Sequence, residues 1–279
     1  MGNKMTNIKA EVICDSVSIH GNRLTTFELT FPRIILAEFN THRAFSRNSA
    51  SSRAIPFAKM IESIDEDAFV PIAWIKKHKG MQGFEYFEEV ADIKVCTDLW
   101  FAGRDAAMKY ARMLDSMGVT KQFTNRMLEP YMWHKVIMTS SKEGLDNFFK
   151  LRAHKDAEIH IQDLAYTMQN VLAASTPEPL NEGEWHIPYV EDIPTLSLED
   201  KLKVATARCA RVSYTTVGQN ESSEYTDDIR LYNRLLQSGH MSPFEHCAQV
   251  MDAERLFDIP MSRNFRGFIQ YREIIEKKV

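Results

Sequence analysis

Two short stretches concentrate side chains that do chemistry. Residues 41–53 hold three arginines (Arg43, Arg47, Arg53), one histidine (His42) and four serines (Ser46, Ser49, Ser51, Ser52), with no acid among them. Planar guanidinium forks match phosphate and carboxylate oxygens, and serine hydroxyls with loop N–H groups complete such a cradle. A nucleotide phosphate is the natural ligand; a solvated Ser/Arg loop is the plain alternative. Residues 239–246 read Gly-His-Met-Ser-Pro-Phe-Glu-His, so His240, Glu245 and His246 bracket a Ser242-Pro243 turn. Imidazole and carboxylate at that spacing suit a metal, proton exchange or hydrogen bonds to a ring ligand. The spacing is not the HExxH of a helical zinc site, and no third ligand adjoins it, so no metal is expected.

A third group, Asn147, Lys150 and Arg152, lies in a probable helix and by itself reads as an amphipathic surface. Arg126, shortly before Pro130, is equally plain in isolation. Ser51 has no histidine base at triad-like spacing, which makes it a substrate contact rather than a nucleophile.

The elements that must position these groups follow from periodicity and punctuation. Residues 11–19 and 23–31 are rich in Val, Ile, Thr and Phe and flank His20-Gly21-Asn22, which predicts a hairpin. A short helix is expected over 33–40, after Pro32. Longer helices are expected over 101–117, stopping at Gly118, and over 157–174. Ser197 and Asp200 form a capping pattern that opens a helix to about Ala210. Another runs from Asp227 or Asp228 to Ser238 and ends at Gly239. Residues 247–256 alternate weakly and read as a strand. Pro177, Pro179, Gly183, Pro188 and Pro194 mark residues 177–194 as a connection. The class is α+β with helices in the majority.

The bulk numbers bound the rest. With 279 residues and 44% hydrophobic content, the chain can bury a sizeable core. A formal net charge of -4 argues against a nucleic acid polymer as the main partner. Cys14, Cys96, Cys209 and Cys247 are scattered with no CxxC pair, as expected of reduced thiols in a cytoplasmic protein. Nothing approaches the ~20 apolar residues of a membrane span.

Taken together, the segments resemble flavin-dependent thymidylate synthases. Residues 41–53 are similar to the family pattern Arg-His-Arg-x-x-Ser-x-x-x-x-Ser-x-Arg: His42, Arg43, Ser46, Ser51 and Arg53 match, and Thr41 replaces the first arginine. Residues 240–246 resemble His-x-Ser/Thr-Pro-Phe-Glu-His, and residues 207–214, which include Arg211, Val212 and Ser213, resemble the family's Ala-x-Arg-Val-Ser block. Asn147 and Arg152 fit the helix ending Asn-Phe-Leu-x-Leu-Arg, and Arg126 aligns with the arginine before a Leu-Pro turn. The block order differs. The family's N-terminal blocks stand here at 197–256, behind the 177–194 connection, as in a circular permutation of one catalytic domain spanning 1–279.

The resemblance implies a thymidylate synthase-like fold, with an antiparallel or mixed sheet and long flanking helices. It implies a methyltransferase that converts dUMP to dTMP, with methylenetetrahydrofolate as carbon donor, NADPH as reductant and FAD as cofactor. Arg126, Ser51, Arg53 and Arg152 are the implied dUMP contacts, with Arg152 and Ser51 at the reacting centre. His42, Arg43, Ser46, Asn147, Ser213, His240, Ser242 and Glu245 are the implied FAD contacts. The family's active sites lie between subunits of a homotetramer. Ser141, Glu143 and Asp156 stand where the family has other residues, which suggests a rival: a flavin- or folate-dependent hydroxymethylase of dUMP or dCMP. A non-catalytic nucleotide- or RNA-binding module is a third reading. In the tail, residues 262–272 carry arginines and aromatics that are candidates to supply what Thr41 does not.

Overall fold

The computed structural model describes residues 7–80, 83–212 and 225–277. Along the chain run β1 (Lys9–Ser18), β2 (Arg23–Pro32), α1 (Leu36–Phe39), β3 (Ser46–Ser49), α2 (Phe57–Glu66), α3 (Val90–Ser116) and α4 (Lys121–Thr124). Then come β4 (Trp133–Ser141), α5 (Lys142–Arg152), α6 (Ile159–Ala174), β5 (Glu178–Leu180), β6 (Trp185–His186), α7 (Leu198–Arg211) and α8 (Tyr225–Gln237). Last are β7 (Ala248–Val250), α9 (Ala253–Asp258), β8 (Met261–Ser262), β9 (Phe265–Arg266), β10 (Phe268–Gln270) and α10 (Tyr271–Glu276). The result is α+β, as expected.

The main sheet has the order β3-β4-β2-β1-β5 and is antiparallel except for the β1–β5 pair. Strand alternation sorts its two faces. Phe27, Leu29 and Phe31 of β2, with Val136 and Met138 of β4, pack with Leu145 and Phe148 of α5 and Leu164 and Met168 of α6. The other face is more polar. It presents Ser16, Thr26 and Thr139, all buried, together with Leu24 and Ile137. A second sheet, β10-β7-β6, and helix α7 cover it. Each strand of that small sheet comes from a different part of the chain.

The hairpin turn needs Gly21, whose φ of 82° lies in the left-handed region. Ser197 caps α7 by accepting from the Asp200 N–H at 3.2 Å. Three expectations are corrected. The helix expected from 101 begins at Val90, because Trp100 donates to the Phe69 carbonyl at 2.7 Å and Thr97 accepts from Trp74 at 3.3 Å, which ties its first turns to the body. The strand expected over 247–256 stops at Val250, where Asp252 caps α9 through the Arg255 N–H. The 177–194 connection is more than a connection: it gives β5 to one sheet and β6 to the other. Among the described residues no helix is long and apolar enough to cross a membrane.

Candidate active site

The Ser/Arg stretch leaves α1 through a tight turn in which the Thr41 hydroxyl donates to the Glu38 carbonyl at 2.7 Å. His42 follows, buried against Phe45 and edge-on to Phe148, with ring centroids at 5.7 and 4.8 Å. Its Nε2 accepts from Arg152 Nε at 3.0 Å. Burial, then the cations Arg152 and Arg47, pulls the His42 pKa down to about 4, so it stays a neutral acceptor. Arg152, at the end of α5, also reaches Thr41 Oγ1 at 3.4 Å and Glu38 Oε2 at 3.5 Å. The motif histidine and the motif arginine thus hold each other, 110 residues apart in sequence.

β3 carries the stretch onward as an edge strand on β4, with Ser46 opposite Thr139 and Ser49 opposite Val136. The single turn Ser242–Glu245 packs directly against β3. Glu245 Oε1 accepts from Arg272 at 2.7 Å and supports the charge of Arg47, whose pKa burial would otherwise lower further. Behind the turn His246 is fully buried, and its Nδ1 lies 2.8 Å from Thr139 Oγ1.

That contact is one link in a buried polar chain. Thr139 Oγ1 lies 2.7 Å from Thr26 Oγ1, which lies 2.8 Å from His186 Nε2. His186 Nδ1 is 2.9 Å from Ser16 Oγ and 3.4 Å from Cys14 Sγ. Burial lowers His186 and His246 to about 3, so both are neutral and which nitrogen donates is set by the hydroxyls. Two buried atoms at this seam, His246 Nε2 and Asn48 Oδ1 of β3, have no hydrogen-bond partner among the described residues.

The other end of the stretch is pinned by buried Asn125, whose Nδ2 donates to the Ser52 carbonyl at 2.7 Å and the Ile55 carbonyl at 2.9 Å. This sets residues 51–53 beside the segment that carries Arg126. Arg43, Arg53 and Arg126 are all exposed, and none pairs with a carboxylate among the described residues. Asn147, Ser242 and His240 are exposed too, with His240 Nδ1 2.8 Å from Ser238 Oγ. Ser213 lies outside the described residues.

The tail does not act as expected. Its arginines are neutralised: Arg263 pairs with Glu276, Arg266 with Glu143 at 3.6 Å, and Arg272 with Glu245 and Glu276. Its amides reach the site instead. Gln270 Nε2 donates to Ser46 Oγ at 3.1 Å, and Asn264 Nδ2 donates to the Ala44 carbonyl at 2.9 Å. Thr139, His186, Asn264 and Gln270 were not singled out by sequence.

A family model described as thymidylate synthase complementing protein matches residues 21–178, more than half of the chain. Among solved structures, the UMP/dUMP methylase PolB from Streptomyces cacaoi, bound with 5-Br dUMP, is similar with a TM-score of 0.51 and 16% identity. The alignment covers 61% of this chain and 91% of that one, and at this identity it shows a shared fold. No curated protein matches.

Proposed function

This chain belongs to the thymidylate synthase complementing protein family, and from that premise we propose that it methylates dUMP to dTMP. Methylenetetrahydrofolate gives the carbon, and NADPH gives the reducing equivalents by way of FAD. One observation carries the reading: the Ser/Arg stretch and the Ser242–Glu245 turn, remote in sequence, pack against each other, and Arg43, Arg53 and Arg126, in or next to that stretch, are exposed with no carboxylate partner among the described residues.

The residues fit a flavin nucleotide. Arg43, Asn147, His240 and Ser242 are exposed polar groups, and His246 Nε2 and Asn48 Oδ1 lie buried behind them with no hydrogen-bond partner among the described residues. FAD, when bound, supplies the redox chemistry. His42, Ser46 and Glu245 are engaged within the chain, so in this reading they set the site's shape: His42 aims Arg152, Ser46 joins β3 to the tail, and Glu245 balances Arg47. Ser51, Arg53 and Arg126 grip the dUMP phosphate. Arg152 donates to a uracil carbonyl, where a fixed cation stabilises charge that develops as the ring reacts. The order of blocks is that of a permuted family member.

The test is a product assay with FAD, NADPH, methylenetetrahydrofolate and either dUMP or dCMP, read by mass. dTMP formation is the expected result. A hydroxymethylated nucleotide would establish the rival chemistry, and a protein that takes up no flavin would reject both. Arg152→Ala should lower kcat by roughly 10²–10³-fold while flavin absorbance and helix content persist. Full turnover in that variant removes Arg152 from the mechanism.

A further inference from the structure

Helix α3 spans 27 residues, about 40 Å at 1.5 Å per residue, yet the fold buries only one side of it. Met108 and Ala111 pack with Ile64, Leu128 and Met132. On the opposite side Val95, Leu99, Tyr110, Met113 and Met117 are 56, 67, 53, 52 and 78% exposed. Ala102 and Ala106 lie between them and are exposed as well. Positions 95, 106 and 117 are eleven apart, as are 99 and 110, and 102 and 113. An eleven-residue repeat is about 3.67 residues per turn, so the stripe runs almost straight along the helix.

The spacing is also symmetric about Ala106. Positions 95 and 117, 99 and 113, and 102 and 110 are equidistant from it. A second copy laid antiparallel across a two-fold axis at Ala106 would set Val95 against Met117, Leu99 against Met113, and the small Ala102 against the large Tyr110. An isologous contact requires such self-complementarity.

Charge obeys the same operator. At ~100° per residue, Asp98, Asp105, Lys109 and Arg112 all fall on one edge of the stripe, acids in its first half and bases in its second. About that axis Asp105 faces the partner's Ala107, with the partner's Lys109 and the partner's Asp105 each two residues away, and Asp98 faces the partner's Leu114, with the partner's Arg112 two residues away; at ~1.5 Å per residue both cations are within side-chain reach of the acids. Within the chain, Lys109 and Arg112 have no carboxylate partner among the described residues. Among the described residues Asp98 and Asp105 have only local pairs, with Lys94 and with half-buried Arg104.

We infer that this face of α3 is a self-association surface, packed antiparallel against the same face of a second copy of the chain. The inference rests on α3 alone and is independent of the reaction proposed above.

Three measurements on the full chain test it. Ala106→Cys in a Cys96→Ser background should give a disulfide-linked dimer on mild oxidation. Lys94→Cys in that background should not, because it sits ~18 Å along the helix from the axis. Leu99→Glu with Met113→Glu should lower the mass seen by light scattering, with helix content unchanged because both positions are exposed. Asp105→Lys should weaken association about tenfold or more, and adding Lys109→Asp should restore it. An absent cross-link at position 106, or an unchanged mass in the double-glutamate chain, overturns the inference.

Discussion

Acidification from pH 7.5 to 5.5 should remove about 5 kcal/mol of folding stability, a large share of the ~5–15 kcal/mol that holds most domains together. Four imidazoles carry the effect: His42, held at about 4, and three that are buried completely. His134, His186 and His246 are all 0% exposed, and burial pulls each from 6.5 to about 3. The Arg33 guanidinium adds to this at His134, and His186 adds to it at His246, while Asp15 opposes it at His186. These folded-state values are depressed, so the folded chain keeps the rings neutral while the unfolded chain takes up a proton on each near pH 6.5. The stability is therefore complete above ~6.5 and is lost as pH falls toward the folded values. Each site loses a little over ~1 kcal/mol across this window. At Asp15 and Glu158, burial is outweighed by hydrogen bonds from Arg23 and from His160, and both carboxyls are held low. Their contributions persist until below the ordinary carboxylate range and do not enter. Guanidinium unfolding at pH 7.5, 6.5 and 5.5, followed by tryptophan fluorescence and circular dichroism, measures the loss. An unfolding midpoint that does not move over this range would refute the claim that these rings are buried neutral.

Further outcomes follow from the site. Thr139→Val strips His246 of its one partner and breaks the link to Thr26, and should cost about 2–4 kcal/mol in the same unfolding assay, with Thr139→Ser recovering most of it. A Thr139→Val chain within ~0.5 kcal/mol of wild type would show that the hydroxyl chain does not stabilise the fold. His42→Ala should lower kcat about tenfold or more by freeing Arg152, and His42→Gln, which keeps an acceptor, should recover part of it. Equal loss in both variants would mean that the ring's packing matters and its acceptor does not. Burial pushes the Cys14 thiol up to about 12 and raises Cys209 and Cys247, so the folded protein should release about one fast equivalent with a disulfide reagent, from half-buried Cys96. Cys14 is half-buried as Cys96 is but has the raised pKa, so its rapid modification would contradict that shift.

Much of this was legible in the residues, for local reasons. The His20-Gly21-Asn22 turn, the Ser197 cap and the Gly239 stop each act within a few residues, and the structure has all three where the chain wrote them. The Ser/Arg stretch and the Ser-Pro-Phe-Glu-His turn stood out because composition alone made them unusual. What was not legible depended on partners far away. Strands of two or three residues, such as β6, carry no periodicity. The tail arginines looked free until their carboxylates arrived, Glu143 for Arg266 from 123 residues upstream. No short-range rule says that an arginine 110 residues later will hydrogen-bond the His42 ring, so that contact was not legible either.

The small sheet that covers the hydroxyl face has a consequence for biosynthesis. β2 and β4 present Thr26 and Thr139 early, but the strands that cover them end at residues 186, 250 and 270. At ribosomal rates of ~5–20 residues per second, the nascent chain exposes β3 for roughly 10–40 s before Gln270 is made. An incomplete product that stops short of the tail would leave the hydroxyl face of β2 and β4 only partly covered, a natural substrate for chaperones and proteases.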